Sequence, residues 1–141
     1  MTIYRTTDIE DILSTISLTF PDGILGFDPD QWINDDNNIC LTDGNKNFTL
    51  FEYNSEGVVT GHYFFIYRGK AALSLCKEML KEIFSEKYNV RVIKGLTPLE
   101  KLGARWMNKQ LGFKSYGVVF TLVGPCELVM LTKEEWKGLR E

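Results

Sequence analysis

One histidine, three cysteines and four prolines are spread over 141 residues, and each scarcity removes a class of protein. A lone His62 rules out a histidine-rich metal site. Cys40, Cys76 and Cys126 are odd in number and form no close pair, so neither a disulfide framework nor a CxxC metal knuckle is available. Long apolar runs are missing too. The longest, residues 63–67, falls far short of the roughly 18 residues that a membrane span needs. The opening MTIYRTTDIED lacks the apolar stretch of a secretory signal, and a cytoplasmic location is expected. No internal repeat, low-complexity stretch or Pro/Gly-rich linker divides the chain, so one domain over residues 1–141 is expected. What is present suits a globular protein: 44% hydrophobic, 13% aromatic and 25% charged residues. A chain of this size buries roughly two thirds of its unfolded surface, enough for one core without staples.

Basic residues are scarce in the first half. Residues 1–65 carry only Arg5 and Lys46 against eleven carboxylates, a net of −9. Residues 66–141 carry fourteen basic groups against eight acidic, a net of +6, and the two sum to −3. All eight aspartates lie at or before Asp43. Two readings stay open: aspartate as a turn and cap residue in a loop-rich half, or an acidic side suited to a cation and a basic side suited to an anion such as a polyphosphate. The negative total argues against a nucleic-acid binder.

The pattern along the chain predicts a short strand at 2–5. Asp8 then caps a helix with Ile9, Ile12, Leu13 and Ile16 at helical spacing. Residues 20–38 are rich in turn formers, with one helical turn opened by Asp28 and Pro29. Strands at 39–42, 48–53 and 58–67 follow, joined by the hairpin connectors DGNKN and NSEG. From 71 to 86 the apolar residues Ala72, Leu75, Cys76, Met79, Leu80, Ile83 and Phe84 make a full amphipathic stripe. A strand at 90–93 comes next. Thr97-Pro98-Leu99-Glu100 reads as a capping residue, an N1 proline and a reciprocal glutamate, opening a helix that stops at Gly112, with Phe113 packing back. Strands at 115–123 and 126–131 flank a Gly124-Pro125 turn. Thr132-Lys133-Glu134-Glu135 is a second capping box, opening a short terminal helix anchored by Trp136.

An antiparallel meander running into a strand–helix–strand unit requires a mixed sheet with helices on its faces. The strands at 58–67 and 90–93 become parallel neighbours joined by the 71–86 helix. Between that strand and that helix stands Tyr67-Arg68-Gly69-Lys70-Ala71-Ala72-Leu73. With Leu111-Gly112-Phe113 closing the next helix, this order resembles the GCN5-related N-acetyltransferase (GNAT) superfamily. Its hallmark is an Arg/Gln-x-x-Gly-x-Gly/Ala turn whose amides cradle the pyrophosphate of acetyl-CoA. The resemblance implies an α/β (α+β) fold: a mostly antiparallel sheet with helices on both faces and a parallel pair forming an acyl-CoA cleft. It also implies that Tyr67, Arg68, Gly69, Lys70, Ala71 and Ala72 bind acetyl-CoA or another acyl-CoA, with no metal. The wording GHYFFIYRGKAAL and IKGLTPLEKLGARWMNKQLGF is further similar to a small bacteriophage group within the superfamily, some of whose members are labelled head-assembly proteins.

The turn has its own physics. A helix N-terminus exposes unpaired amides and about half a positive charge, and Arg68 and Lys70 add two charged donors there. A plain surface helix start is the alternative. Ala71 and Leu73 stand where the family has its second and third glycines. Ala71 brings a methyl group toward the phosphate position, and Leu73 obstructs it only if it faces the ligand rather than the core. The strand also reaches Arg68 without the family's proline-containing bulge.

Acetyl transfer needs a base for the amine proton, donors for the developing oxyanion and an acid for the leaving thiolate. The family's acid is often a tyrosine in an L-Y-x-K-x-G-F helix ending, whose position is Asn108 here. Asn108 can donate a hydrogen bond but not a proton at neutral pH, so either the thiolate leaves without a dedicated acid, or another group such as Tyr116 serves, or the protein does not catalyse. His62 is of the residue type that suits general-base work, or is a hydrogen-bonded histidine of a half-buried sheet. Glu52 and Glu127 also sit in strands, as further candidate bases if buried or as plain solvent-facing strand residues. Cys76 lies on its helix's apolar stripe and reads as core. The acidic loop at 22–36 occupies the region resembling the family's acceptor-binding helices, which suggests a cationic amine, either a small molecule or a protein group. Two functions are carried forward: an N-acetyltransferase, or a non-catalytic relative with a phage or host protein partner.

Overall fold

The computed structural model describes residues 2–19, 28, 31–32, 35–122 and 124–140. Much of the acidic loop at 22–36 lies outside the described residues, so its expected role toward an acceptor falls there too.

The elements run β1 (Tyr4–Arg5), α1 (Ile9–Thr19), β2 (Ile39–Thr42), β3 (Phe48–Ser55), β4 (Val58–Phe64), α2 (Gly69–Ile83), β5 (Val92–Pro98), α3 (Leu102–Leu111), β6 (Lys114–Thr121), β7 (Gly124–Thr132) and α4 (Lys133–Arg140). The strands form one seven-stranded sheet in the order β1-β2-β3-β4-β5-β7-β6. Every neighbouring pair is antiparallel except β4–β5, which is parallel. The 3.6-residue stripe of α2 explains why that crossover exists: Ala72, Leu75, Cys76, Met79, Leu80 and Ile83 are all buried and roof the parallel pair.

The sheet separates two cores. On one face Ile39, Leu41, Phe51, Val59, Ile93 and Leu131 meet α2, Met107 and Leu111 of α3, and Trp136 of α4. On the other, Cys40, Phe48, Leu50 and Phe64 meet Ile12 and Ile16 of α1 and Trp32. Strand alternation therefore sends Thr60, His62 and Phe64 to the α1 face and Val59, Gly61 and Tyr63 to the α2 face.

Local capping signals hold where nothing tertiary competes. The Asp8 side chain accepts from the Asp11 N–H at 3.2 Å. Thr132 and Glu135 bond reciprocally at 3.0 and 3.1 Å. Gly112, in the left-handed region at φ 90°, ends α3. The N–H of Phe113 reaches the Asn108 carbonyl at 3.0 Å and that of Gly112 reaches Lys109 at 3.1 Å, a Schellman motif.

Several boundaries differ from expectation. The strand expected at 90–93 is β5, Val92–Pro98. Thr97 and Pro98 pair with Glu127 and Cys126 of β7, so they belong to a strand and not to a helix cap; α3 starts at Leu102 after Lys101. Ladder pairing in a buried sheet overrides the local box. Gly124 and Pro125 likewise pair with Thr121 and Phe120 and open β7 rather than forming the turn. Finally β4 stops at Phe64, three residues before Tyr67, and α2 begins at Gly69, two residues before the expected start at 71.

Candidate active site where two parallel strands part

Strands β4 and β5 pair at only three positions, Val58 with Val92, Val59 with Ile93 and Thr60 with Lys94. Beyond these, residues 61–64 and 95–98 remain strands but no longer pair with each other. Each is laddered on its outer side, to β3 and β7. The result is a wedge-shaped opening in the sheet, lined by backbone edges. It lies toward the C-terminal ends of both strands, where a parallel pair commonly presents a ligand site.

What ends β4 is Asn47, a residue with no exposed surface. Its Oδ1 accepts the N–H groups of Ile66 and Tyr67 at 2.9 and 3.2 Å. Its Nδ2 donates to Asp43 Oδ2 at 3.1 Å and to the Asn45 carbonyl at 3.2 Å. A side chain thus stands in for a strand, takes the two amides and swings the chain into α2. This clamp ends the strand without a proline. Its only trace in the sequence is the last letter of DGNKN.

At the mouth of the opening, Arg68 is the extended residue before α2 and no side chain caps the helix. The amides of Gly69, Lys70 and Ala71 head the helix, where no intrahelical acceptor exists. Gly69 has φ 60°, and a Cβ added there would meet nothing within 4 Å, so the glycine is required by conformation while the space beside it is open. Arg68, Lys70 and Ala71 are exposed. Leu73 packs against the core, and the obstruction it threatened is absent. Of the six predicted binding residues, Ala72 is not available: its methyl is in the core and its N–H points to the Arg68 carbonyl at 3.5 Å. Tyr67 is partly buried against the core. Arg68 turns back, donating from Nη1 to the carbonyl oxygens of Phe65 and, at 3.1 Å, of Tyr67. It braces the turn it was expected to serve as an anion donor.

His62 stands on β4 just past the parting, one third exposed. Its Nε2 is 2.5 Å from Oε1 of Glu52 on β3. The register sets Leu50 opposite His62 and Glu52 opposite Thr60, so the two are diagonal neighbours on the α1 face. Two residues singled out separately from the sequence are thus one unit. An imidazole oriented by a carboxylate is equipped to accept a proton and to be stabilised once charged.

The other candidates are elsewhere. Asn108 donates from Nδ2 to Thr97 Oγ1 at 2.9 Å, tying α3 to β5. Tyr116 is exposed on β6, the outer strand, three strands from β4, about 14 Å away at the usual strand spacing, and does not join His62. Glu127 pairs with Arg105 at 3.5 Å. Burial pushes the Cys76 thiol up to about 12, which leaves it inert as a nucleophile. Among the described residues, no group of three or more metal-ligating side chains is found, and no helix is long and apolar enough to cross a membrane.

No family model and no curated protein sequence matches the chain. Solved structures do. A mutant of the spermidine N-acetyltransferase SpeG from Vibrio cholerae matches with a TM-score of 0.77 at 14% identity, over 100% of both chains. The aminoglycoside acetyltransferase AAC(6')-Ib, in complex with coenzyme A, matches with a TM-score of 0.73 at 14% identity, over 99% of both. The protein smu.2055 from Streptococcus mutans matches with a TM-score of 0.70 at 18% identity, over 94% of this chain and 99% of that one. The chain has the GNAT fold: a mostly antiparallel seven-stranded sheet with one parallel pair and helices on both faces.

Proposed function

We propose that this protein is an N-acetyltransferase that takes its acyl group from acetyl-CoA or another acyl-CoA and delivers it to a cationic amine. The observation that carries this reading is the parting of β4 and β5 with an uncapped helix N-terminus at its mouth. The residues there fit a diphosphate: the amides of Gly69, Lys70 and Ala71 would hold it, with the exposed Lys70 ammonium beside them. Arg68 would hold the turn rather than the ligand. When bound, acyl-CoA supplies an activated acyl thioester. His62 would take the proton that the attacking amine loses, with Glu52 fixing the ring and balancing its charge. A cationic acceptor releases two protons, one as the ammonium becomes the nucleophilic amine and one as the tetrahedral adduct collapses. One would leave through His62 to solvent and the other would neutralise the leaving sulfur, so the balance closes without a tyrosine at position 108. An amine acceptor fits the fold neighbours, whose names specify spermidine and an aminoglycoside. A cationic one also fits the net charge of −9 over residues 1–65. A cytoplasmic site of action goes with such substrates.

The test is a calorimetric titration with CoA and acetyl-CoA. Micromolar binding is expected, weakened about tenfold or more in Lys70→Glu by loss and reversal of one charge at the phosphate site. Turnover with a polyamine should follow. Absence of heat up to millimolar CoA overturns the proposal. It would favour a second reading, a phage-encoded scaffold of this fold acting in virion assembly or on a host protein. That reading draws on the Asn108–Thr97 bond, which gives structural work to the residue at the tyrosine position.

A further inference from the structure

The β3–β4 turn and the connection from α2 to β5 enclose a cavity of about 240 Å³ at the far end of the parallel pair from the opening. β4 runs from Val59, in the cavity floor, to Phe64 beside the opening, about 16 Å at roughly 3.3 Å per residue. The floor is apolar: Ile39, Val59 and Val90 belong to the core beneath α2. Tyr53 and Tyr88 line the cavity above it. Tyr53 is 45% exposed, while the Tyr88 hydroxyl donates to Glu82 Oε2 at 3.1 Å, which fixes its ring. Lys87 donates to the same oxygen at 3.1 Å, so its charge is balanced. Three other charges around the cavity are not. Among the described residues, Arg5, Asp36 and Glu56 each lack an ion-pair partner. Arg5 uses Nη2 to hold the carbonyl oxygens of Asp36 and Asn38, at 2.9 and 3.0 Å, and the rest of its fork is uncommitted.

We infer that this cavity binds a free α-amino acid with an apolar side chain the size of leucine or phenylalanine. The charges select the zwitterion. A simple anion meets repulsion from Asp36 and Glu56, and a simple cation meets it from Arg5. A molecule with both charges lays its carboxylate on the open side of the Arg5 fork and gives its ammonium to Glu56 or Asp36. Its side chain then sits beside the two tyrosines, over the apolar floor. The volume falls a little below the usual range for small-molecule pockets, which limits the occupant to about a dozen non-hydrogen atoms. Ammonium and carboxylate on one carbon also mark the free amino acid, since a peptide terminus carries only one of the two. The occupant spans a junction. The Gly57 carbonyl accepts from the N–H groups of Arg91 and Val92 at 2.8 and 3.0 Å, tying the β3–β4 turn to the start of β5, and the cavity lies against that tie. The site is independent of the acyl-transfer reading, because none of its lining residues belongs to the opening.

The test is an NMR titration of the intact chain with L-leucine and L-phenylalanine, following backbone amide shifts. Saturable shifts are expected at residues 36–39, 53–57 and 87–90, with a Kd of about a millimolar or tighter for at least one of the two. 2-Phenylethylamine and 3-phenylpropionate, which keep the ring and one charge each, should bind about tenfold more weakly than phenylalanine or worse. Arg5→Met and the double variant Asp36→Asn with Glu56→Gln should each lower affinity about tenfold. Arg5 also holds two loop carbonyls, so if its variant fails to fold, the acid-to-amide pair, made at exposed residues, carries the test. Absence of saturable shifts with both amino acids up to tens of millimolar overturns the inference. So do shifts centred elsewhere, one-charge analogues that bind as tightly as phenylalanine, or an acid-to-amide pair that leaves affinity unchanged.

Discussion

Two residues carry most of the local consequence, and they differ in kind. Asn47 is structural: its single oxygen satisfies two strand-end amides. Asn47→Ala leaves both without that acceptor in a part-buried setting and is expected to cost up to about 2–6 kcal/mol, at about 1–3 kcal/mol per unsatisfied group. Urea unfolding measures the loss, and an unchanged midpoint would show that water replaces the clamp. His62 is chemical. Removing a positioned base typically lowers turnover about 10²–10⁴-fold, so His62→Ala should reduce kcat in that range while acetyl-CoA binding by calorimetry stays unchanged. Glu52→Gln keeps a hydrogen-bond acceptor and should lose less. The sequence showed His62 and Glu52 as candidates but not as a pair. Their contact depends on a β3–β4 register that shifts between Tyr53 and Ser55, and one residue of slip would put them on opposite faces. Asn47 was illegible for a related reason: an asparagine in a turn sequence looks local, and its partners are nineteen and twenty residues away.

At the scale of elements, legibility followed competition. The α2 stripe, the Gly112 terminus and the Thr132–Glu135 box are set by residues within a few positions of one another, and each formed as its spacing dictates. Thr97-Pro98-Leu99-Glu100 has the same local grammar and did not, because β7 offers those residues a ladder. The terminal helix supplies a pH test. Bonding to the Lys114 ammonium, and then to the backbone and side chain of Thr132, lowers the proton affinity of Glu135. A carboxylate whose folded affinity is lowered stabilises the fold above its unfolded pKa and loses that contribution as pH falls through the folded value. Wild type should therefore lose stability on acidification more than Glu135→Gln does, and added salt should narrow the difference, since the Lys114 end of the pair is exposed. Urea midpoints at neutral and acid pH decide it; parallel acid losses in the two proteins would remove Glu135 from the account. The Lys114 affinity is raised by the same bond, so its share persists below its unfolded pKa and fades on the alkaline side.

Taken whole, the molecule divides its charge by sequence and its sheet by geometry, at nearly the same place. The charge boundary used above follows Phe65, and the sheet parts beyond Thr60. β1 to β4 carry the acidic half of the chain, and β5, β7 and β6 the basic half. Only the three-residue ladder of β4 on β5 links these blocks by strand pairing, against seven paired positions on either side. Such a sheet resembles two panels sewn along a short seam. Amide exchange should be quicker at Val92 and Val59 than at the centres of β3 and β7, and a ligand laid across the gap should slow it by bracing both panels at once. Uniform protection over all seven strands would contradict this. The opening that could admit a substrate is also where the fold would first come apart, so affinity and mechanical integrity share one line of stitches.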